Sequence, residues 1–190
     1  MFRSGDTIEN PVTGERIVFR ATAAETNGEV TAFECIVQPD GAVAAAHYHP
    51  LQSERFEILE GTIGMKLGRE KLELGPGHVV TIDPGTPHKF WNAGEDVLRF
   101  TTEVRPALAF EEMIRTMFNL AADGKTNRKG MPNPFRMAVI AAAYKDVIRL
   151  PFPPAIVQDA GLALGAPLGR LMGYSPVYEG EGAPALGLGV

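Results

Sequence analysis

The feature that most restricts the fold of this chain is a change of texture near Arg105-Pro106. Before that point, short apolar runs alternate with glycine- and proline-bearing turns: PVTGE, QPDGA, EGTIG, LGPGH, DPGTP and NAGED. Runs this short at regular spacing read as an all-β sandwich or barrel. The expected strands are Arg16–Ala21, Val30–Val37, Val43–His49, Arg55–Leu59, Ile63–Leu67, Lys71–Leu74, Val79–Ile82, His88–Trp91 and Val97–Val104.

After Pro106 the apolar period becomes helical. Phe110, Ile114, Met117, Phe118 and Ala121 fall on one face of an amphipathic helix that Asp123-Gly124 ends. Asn133-Pro134 reads as an N-cap and first helical residue, opening a second helix through about Ile148. A third is expected from Ala155 to Met172, with glycine at 161, 165, 169 and 173 forming either a thin stripe that packs on the barrel or a frayed tail. The expected division is therefore a β domain over residues 1–105 and a helical extension over 106–190, with a flexible end at EGEGAPALGLGV.

Charge and composition exclude several functions. With 18 basic and 23 acidic residues the net charge is −5, and no Lys/Arg run offers phosphates a basic patch, so no nucleic-acid partner is expected. The longest apolar stretch, AGLALGAPLGRLMG, is too short to span a bilayer and carries Arg170 and Pro167, so membrane association is not expected. The opening MFRSGDTIENP has no apolar leader core. The single cysteine, Cys35, cannot form an intrachain disulfide and lies in the apolar run FECIV, where a buried strand thiol is expected. A cytoplasmic location is the expectation.

The chemistry concentrates in HYHPLQSE, His47–Glu54, which holds two of the four histidines. On a strand, residues i and i+2 share a face, so His47 and His49 point the same way. Pro50 breaks the strand, and Glu54 opens the next one, where a hairpin returns it beside the histidines. By the same alternation Glu54, Phe56 and Ile58 face inward and Glu57 outward. His88 follows the turn DPGTP. Three imidazoles and a carboxylate suit a divalent metal: Fe, Mn, Ni, Zn or Cu. An octahedral ion so held keeps two positions open, whereas a tetrahedral zinc is closed. Phe56, Met65 and Phe90 are the expected apolar lining of a substrate pocket, with ordinary core packing the competing assignment. His78 reads as a surface residue.

These residues carry a resemblance to a family. GAVAAAHYHPLQSERFEILEG (Gly41–Gly61) resembles the first cupin motif at every fixed position: glycine, HxH, glutamate, glycine. GHVVTIDPGTPHKFWN (Gly77–Asn92) resembles the second in its glycine, PG turn, histidine and final asparagine, departing only at Asp83, where the family usually has proline. The resemblance covers about residues 30–104. It implies a small antiparallel jelly-roll barrel followed by a helical extension that is not part of the cupin core. It also implies His47, His49, Glu54 and His88 as metal ligands, with Glu54 able to act as a base.

No phosphate loop, nucleophile elbow or zincin helix is present in the sequence, so the expected chemistry belongs to the metal. The expected function is a metal-dependent oxidoreductase of dioxygenase type acting on a small organic substrate. The alternatives are a non-catalytic small-molecule sensor or binding protein and a metal-assisted isomerase or lyase. Besides a small-molecule ligand, the expected partner is a second copy of the chain in a homodimer formed through sheet edges.

Overall fold

The computed structural model describes residues 2–181. Nine strands precede three helices: β1 Thr7–Asn10, β2 Glu15–Ala21, β3 Thr31–Val37, β4 Ser53–Glu60, β5 Ile63–Leu67, β6 Glu70–Leu74, β7 Val79–Ile82, β8 His88–Asn92 and β9 Leu98–Arg105, then α1 Phe110–Ala122, α2 Pro134–Ala143 and α3 Ala155–Leu171. A six-stranded sheet in the order β1-β2-β3-β9-β4-β7 faces a three-stranded sheet in the order β6-β5-β8. All pairings between the strands are antiparallel, giving the jelly-roll arrangement.

Period-two alternation explains why these segments are strands. Phe33, Cys35 and Val37 on β3, Phe56 and Ile58 on β4, and Leu98, Phe100 and Val104 on β9 are all buried. The residues between them carry polar groups on the outer face. There Glu34 pairs with Arg20 and Arg99, and Glu60 pairs with Arg99 at 3.1 Å. A fully buried phenylalanine contributes roughly 2–3 kcal/mol of transfer free energy, so the Phe19, Phe56 and Phe100 positions dominate the barrel interior.

Two strand expectations need correction. Val43–His49 is not a strand. It touches its neighbours through isolated bridges at Ala42, His47 and Tyr48, because its polyalanine centre has no side chains to seat along a sheet face. β1 was not expected. Its four residues, TIEN, are too short and polar to stand out in sequence, and they form a strand by pairing with the edge of β2.

The helices lie against the barrel. On α1, Phe110, Phe118 and Ala121 are buried as the period predicts, with Met113 added to the buried face. Glu111 ties this helix to the barrel, accepting from Ala23 N and Thr31 Oγ1, each at 2.6 Å. Asn133 caps α2 by accepting from Phe135 N at 2.9 Å, but the helix ends at Ala143 and not near Ile148. Beyond Tyr144 the chain leaves the helix so that Arg149 can exchange two backbone hydrogen bonds with Tyr48, both at 2.9 Å.

Two glycines of the α3 stripe, Gly165 and Gly169, pack on α2 and not on the barrel. A methyl group at Gly165 would meet Ala138 at 3.1 Å, and one at Gly169 would collide with the Phe135 carbonyl and Val139. No helix among the described residues is long and apolar enough to cross a membrane. The tail expected to be flexible falls mostly on residues 182–190, outside the described residues.

Candidate metal centre

Four buried side chains converge at one mouth of the barrel. His47 is 8% exposed, His49 3%, Glu54 5% and His88 3%. Each offers a ligand atom, and these atoms all lie within 4.8 Å of one another. Three different local structures deliver them. His47 exchanges both backbone hydrogen bonds with His88, the first residue of β8, at 3.0 and 2.7 Å. His49 lies on the bridging segment after it, and Glu54 is the second residue of β4. The three imidazole centroids are 4.4, 5.1 and 5.4 Å apart.

The hydrogen bonding fixes which nitrogen of each ring faces the centre. Nδ1 of His47 lies 2.9 Å from the Ala45 carbonyl, that of His88 3.0 Å from Thr86, and that of His49 2.6 Å from Val147. A carbonyl can only accept, so each Nδ1 carries a proton and each Nε2 is the nitrogen turned to the centre, a lone pair whenever the ring is neutral. Glu54 Oε2 lies 2.8 Å from His88 Nε2 and 3.4 Å from His49 Nε2. None of these three atoms has a hydrogen-bond partner of full geometry, although all are buried. Imidazole nitrogens gathered on a buried carboxylate without hydrogen bonds of full geometry fit a cation at their centre, and imidazole with carboxylate is a donor set for a divalent first-row metal.

Burial and mutual contact set the charge each of these groups carries with no cation among them. Burial, followed by the neighbouring His88 and His49, pushes the His47 imidazole down to about 3, so it is neutral and available as a ligand at ordinary pH. Burial opposes ionisation of Glu54 as well, but His49 and His88 outweigh it and hold the carboxyl well below its usual range. For His49, burial is outweighed in turn by Glu54, and its pKa is raised. His78, by contrast, is exposed on a turn, with Nδ1 2.9 Å from the Gly75 carbonyl.

A cavity of about 550 Å³ opens from the cluster and runs between the barrel interior and the helices. Phe56 and Phe90 line it. Met65 does not. It is fully buried on β5, paired with Phe90, and belongs to the packing between the sheets. The helical extension supplies much of the opposite wall, including Met113, Met117, Met137 and Ile140. Ile114 and Met117, part of the helical period in the sequence, are half-buried because they face this cavity. Thr102, between Phe33 and Phe56 in the sheet, places a buried Oγ1 without a partner beside it.

The sequence did not reveal that the extension belongs to the site. Phe110 of α1 packs on His49 with centroids 5.9 Å apart, and Val147 orients the same ring from its other side. The nearest sequence signal was the apolar face of residues 110–121, which needed something to cover. Glu15 was also missed as a cavity residue. It is 7% exposed and faces the same space.

Residues 33–104 match the family model described as Cupin domain. The chain is 37% identical over 79 residues to an uncharacterized protein of Methanocaldococcus jannaschii, a match covering 42% of this chain and 62% of the relative. It is 27% identical over 143 residues to a probable oxidoreductase of Hypocrea virens, covering 70% of this chain and 65% of that one. Both matches thus span less than two thirds of the relative's own length. The second covers more of this chain than the 105 of 190 residues before the helices, so it runs into the extension. Among solved structures, a predicted oxalate decarboxylase from Thermotoga maritima superposes with a TM-score of 0.49 at 19% identity, covering 56% of this chain and 98% of that one.

Proposed function

We propose that this chain, whose residues 33–104 match the Cupin domain model, is a metal-dependent oxidoreductase of dioxygenase type. His47, His49, Glu54 and His88 hold a single divalent ion at the inner end of the cavity. The observation that carries this reading is the convergence of three imidazoles and one carboxylate, their ligand atoms within 4.8 Å of one another, in a buried site that opens into an apolar cavity. A redox-active ion with open positions supplies activation of O₂ and of an oxygen-bearing substrate. The relative from Hypocrea virens, a probable oxidoreductase whose similarity extends beyond the barrel, supports the reaction class.

The chain's own residues bind, orient and exclude water. The Phe and Met lining selects a largely apolar organic substrate and removes it from solvent. Backbone carbonyls of Ala45, Thr86 and Val147 fix the three rings. Glu54, held ionised by its histidine neighbours, is the group positioned to accept a proton from a bound substrate.

Elemental analysis of protein purified without a metal-affinity column, followed by O₂-electrode assays with phenolic and ketonic candidates, tests this. The expected result is a redox-active metal bound to the protein and O₂ uptake that His49→Ala abolishes. A tightly held tetrahedral zinc with no exchangeable position would sink the oxidoreductase reading and favour a binding protein.

A further inference from the structure

The cavity contains a second carboxyl that the metal chemistry does not use. Glu15, the first residue of β2, points inward among Asn10, Ile17 and Cys35. No cation lies within salt-bridge distance of it among the described residues. Thr13 Oγ1 lies close enough to offset part of the rise in its pKa, yet makes no hydrogen bond of full geometry and is itself a buried hydroxyl without a partner. The cationic groups that line the cavity, Lys145 and Arg149, belong to the segment after α2. Arg149 is engaged there by Asp159 at 3.0 Å.

An unpaired buried carboxyl is costly, and a leucine of similar size would pack the same place without that cost. Its position is also remote from the metal ligands. Glu15 pairs with Val37, whereas Glu54 shares the row of Thr31 through Val104. Those two β3 residues are six apart, about 20 Å of strand. The apolar cavity therefore has a polar group at each end.

We propose that Glu15 is a specificity-determining residue that receives a hydroxyl group at the far end of an otherwise apolar ligand, whose near end reaches the His47, His49, Glu54 and His88 cluster. This rests on reading the cavity as the ligand site, and it names the ligand class: an elongated apolar body with a metal-binding oxygen group and a remote hydroxyl. A hydroxyl is the group that suits this carboxyl best. It donates to a carboxyl oxygen whether the acid is protonated or not, and in return accepts a hydrogen bond from the protonated form. Burial pushes Glu15 up to about 7, so both forms are populated near neutrality. A second carboxylate at this end of the ligand would be repelled by the ionised form.

The test is calorimetric titration of the full chain with dodecanoate and with its ω-hydroxylated counterpart. The probes share a carboxylate head, so the ratio of their affinities isolates the remote hydroxyl from the metal end. The wild type is expected to favour the hydroxylated chain about tenfold or more. Glu15→Gln keeps an acceptor and retains a preference, whereas Glu15→Leu reverses it. An equal ratio in all three proteins overturns the proposal, as does failure of either probe to bind the wild type. Metal content and melting curves of the same samples separate the two readings. Unchanged metal content with no hydroxyl preference removes only the role of Glu15, and absence of metal with the preference intact removes only the metal-centre reading.

Discussion

The Nδ1–H of His49 donates to the carbonyl oxygen of Val147 at 2.6 Å, joining a barrel ligand to the helical extension 98 residues later. Val147 is itself buried, so the carbonyl is held by packing and not by a free loop. On the proposed reading of the cluster, metal affinity is thereby coupled to how the extension sits. Val147→Gly, which removes the side chain that anchors this turn, is expected to weaken metal binding about tenfold. Chelator competition measures it, and Val79→Gly, on an exposed face of β7, serves as the control.

Individual ligand removals should separate the cluster from the fourth histidine. His47→Ala and His88→Ala are each expected to lower the metal content of the purified protein to near background. His78→Ala leaves it unchanged, since that ring lies on an exposed turn outside the cluster. Elemental analysis of the three variants alongside the wild type decides this.

Burial gives Glu15 a measurable signature in stability. Its pKa rises from 4.5 unfolded to about 7 folded, so the folded state binds more protons between those values. Stability from this group is fully present below the unfolded value and is lost as pH rises through about 7. The difference, at about 1.36 kcal/mol per unit, reaches up to about 3 kcal/mol. The groups facing Glu15 are the Asn10 amide, the Thr13 hydroxyl and the Cys35 thiol. Burial, Glu15 and Glu34 push that thiol well above its usual range, so it stays neutral throughout this window. Glu15→Gln is therefore expected to gain stability over the wild type as pH increases from 5 to 8 in urea unfolding. A difference that is flat across that range removes the assignment.

Glycines on one helix should respond in opposite ways. Gly169→Ala forces a methyl group into the Phe135 carbonyl and Val139, and is expected to cost about 1–3 kcal/mol by pushing α3 off α2. Gly161→Ala meets nothing within 4 Å and is expected to stabilise by up to about 1 kcal/mol through helix propensity alone. Thermal melts of the two variants give opposite signs if the packing is as described.

Most of the barrel and the four-residue cluster were legible in the sequence because both rest on local rules. Alternation of apolar residues named eight of the nine strands, and Glu54 lies inward for the same reason as Phe56 and Ile58. Val43–His49 escaped those rules. Its histidines are placed by a backbone exchange between His47 and His88, which no period records. The end of α2 escaped as well, since Tyr144 to Arg149 turn aside to meet Tyr48 and His49, contacts distant in sequence.

The sequence by itself determined the two textures, the inward parity of the strands and the donor types of a candidate metal centre. These follow from side-chain periodicity and donor chemistry, which need no knowledge of distant neighbours. Only the tertiary structure decided that the helices wall the cavity, that Val147 and Phe110 orient His49, that Met65 packs between sheets and that Glu15 shares the metal cluster's cavity. Each of these depends on which surfaces meet across long stretches of chain, and that is set by packing and burial, not by local pattern.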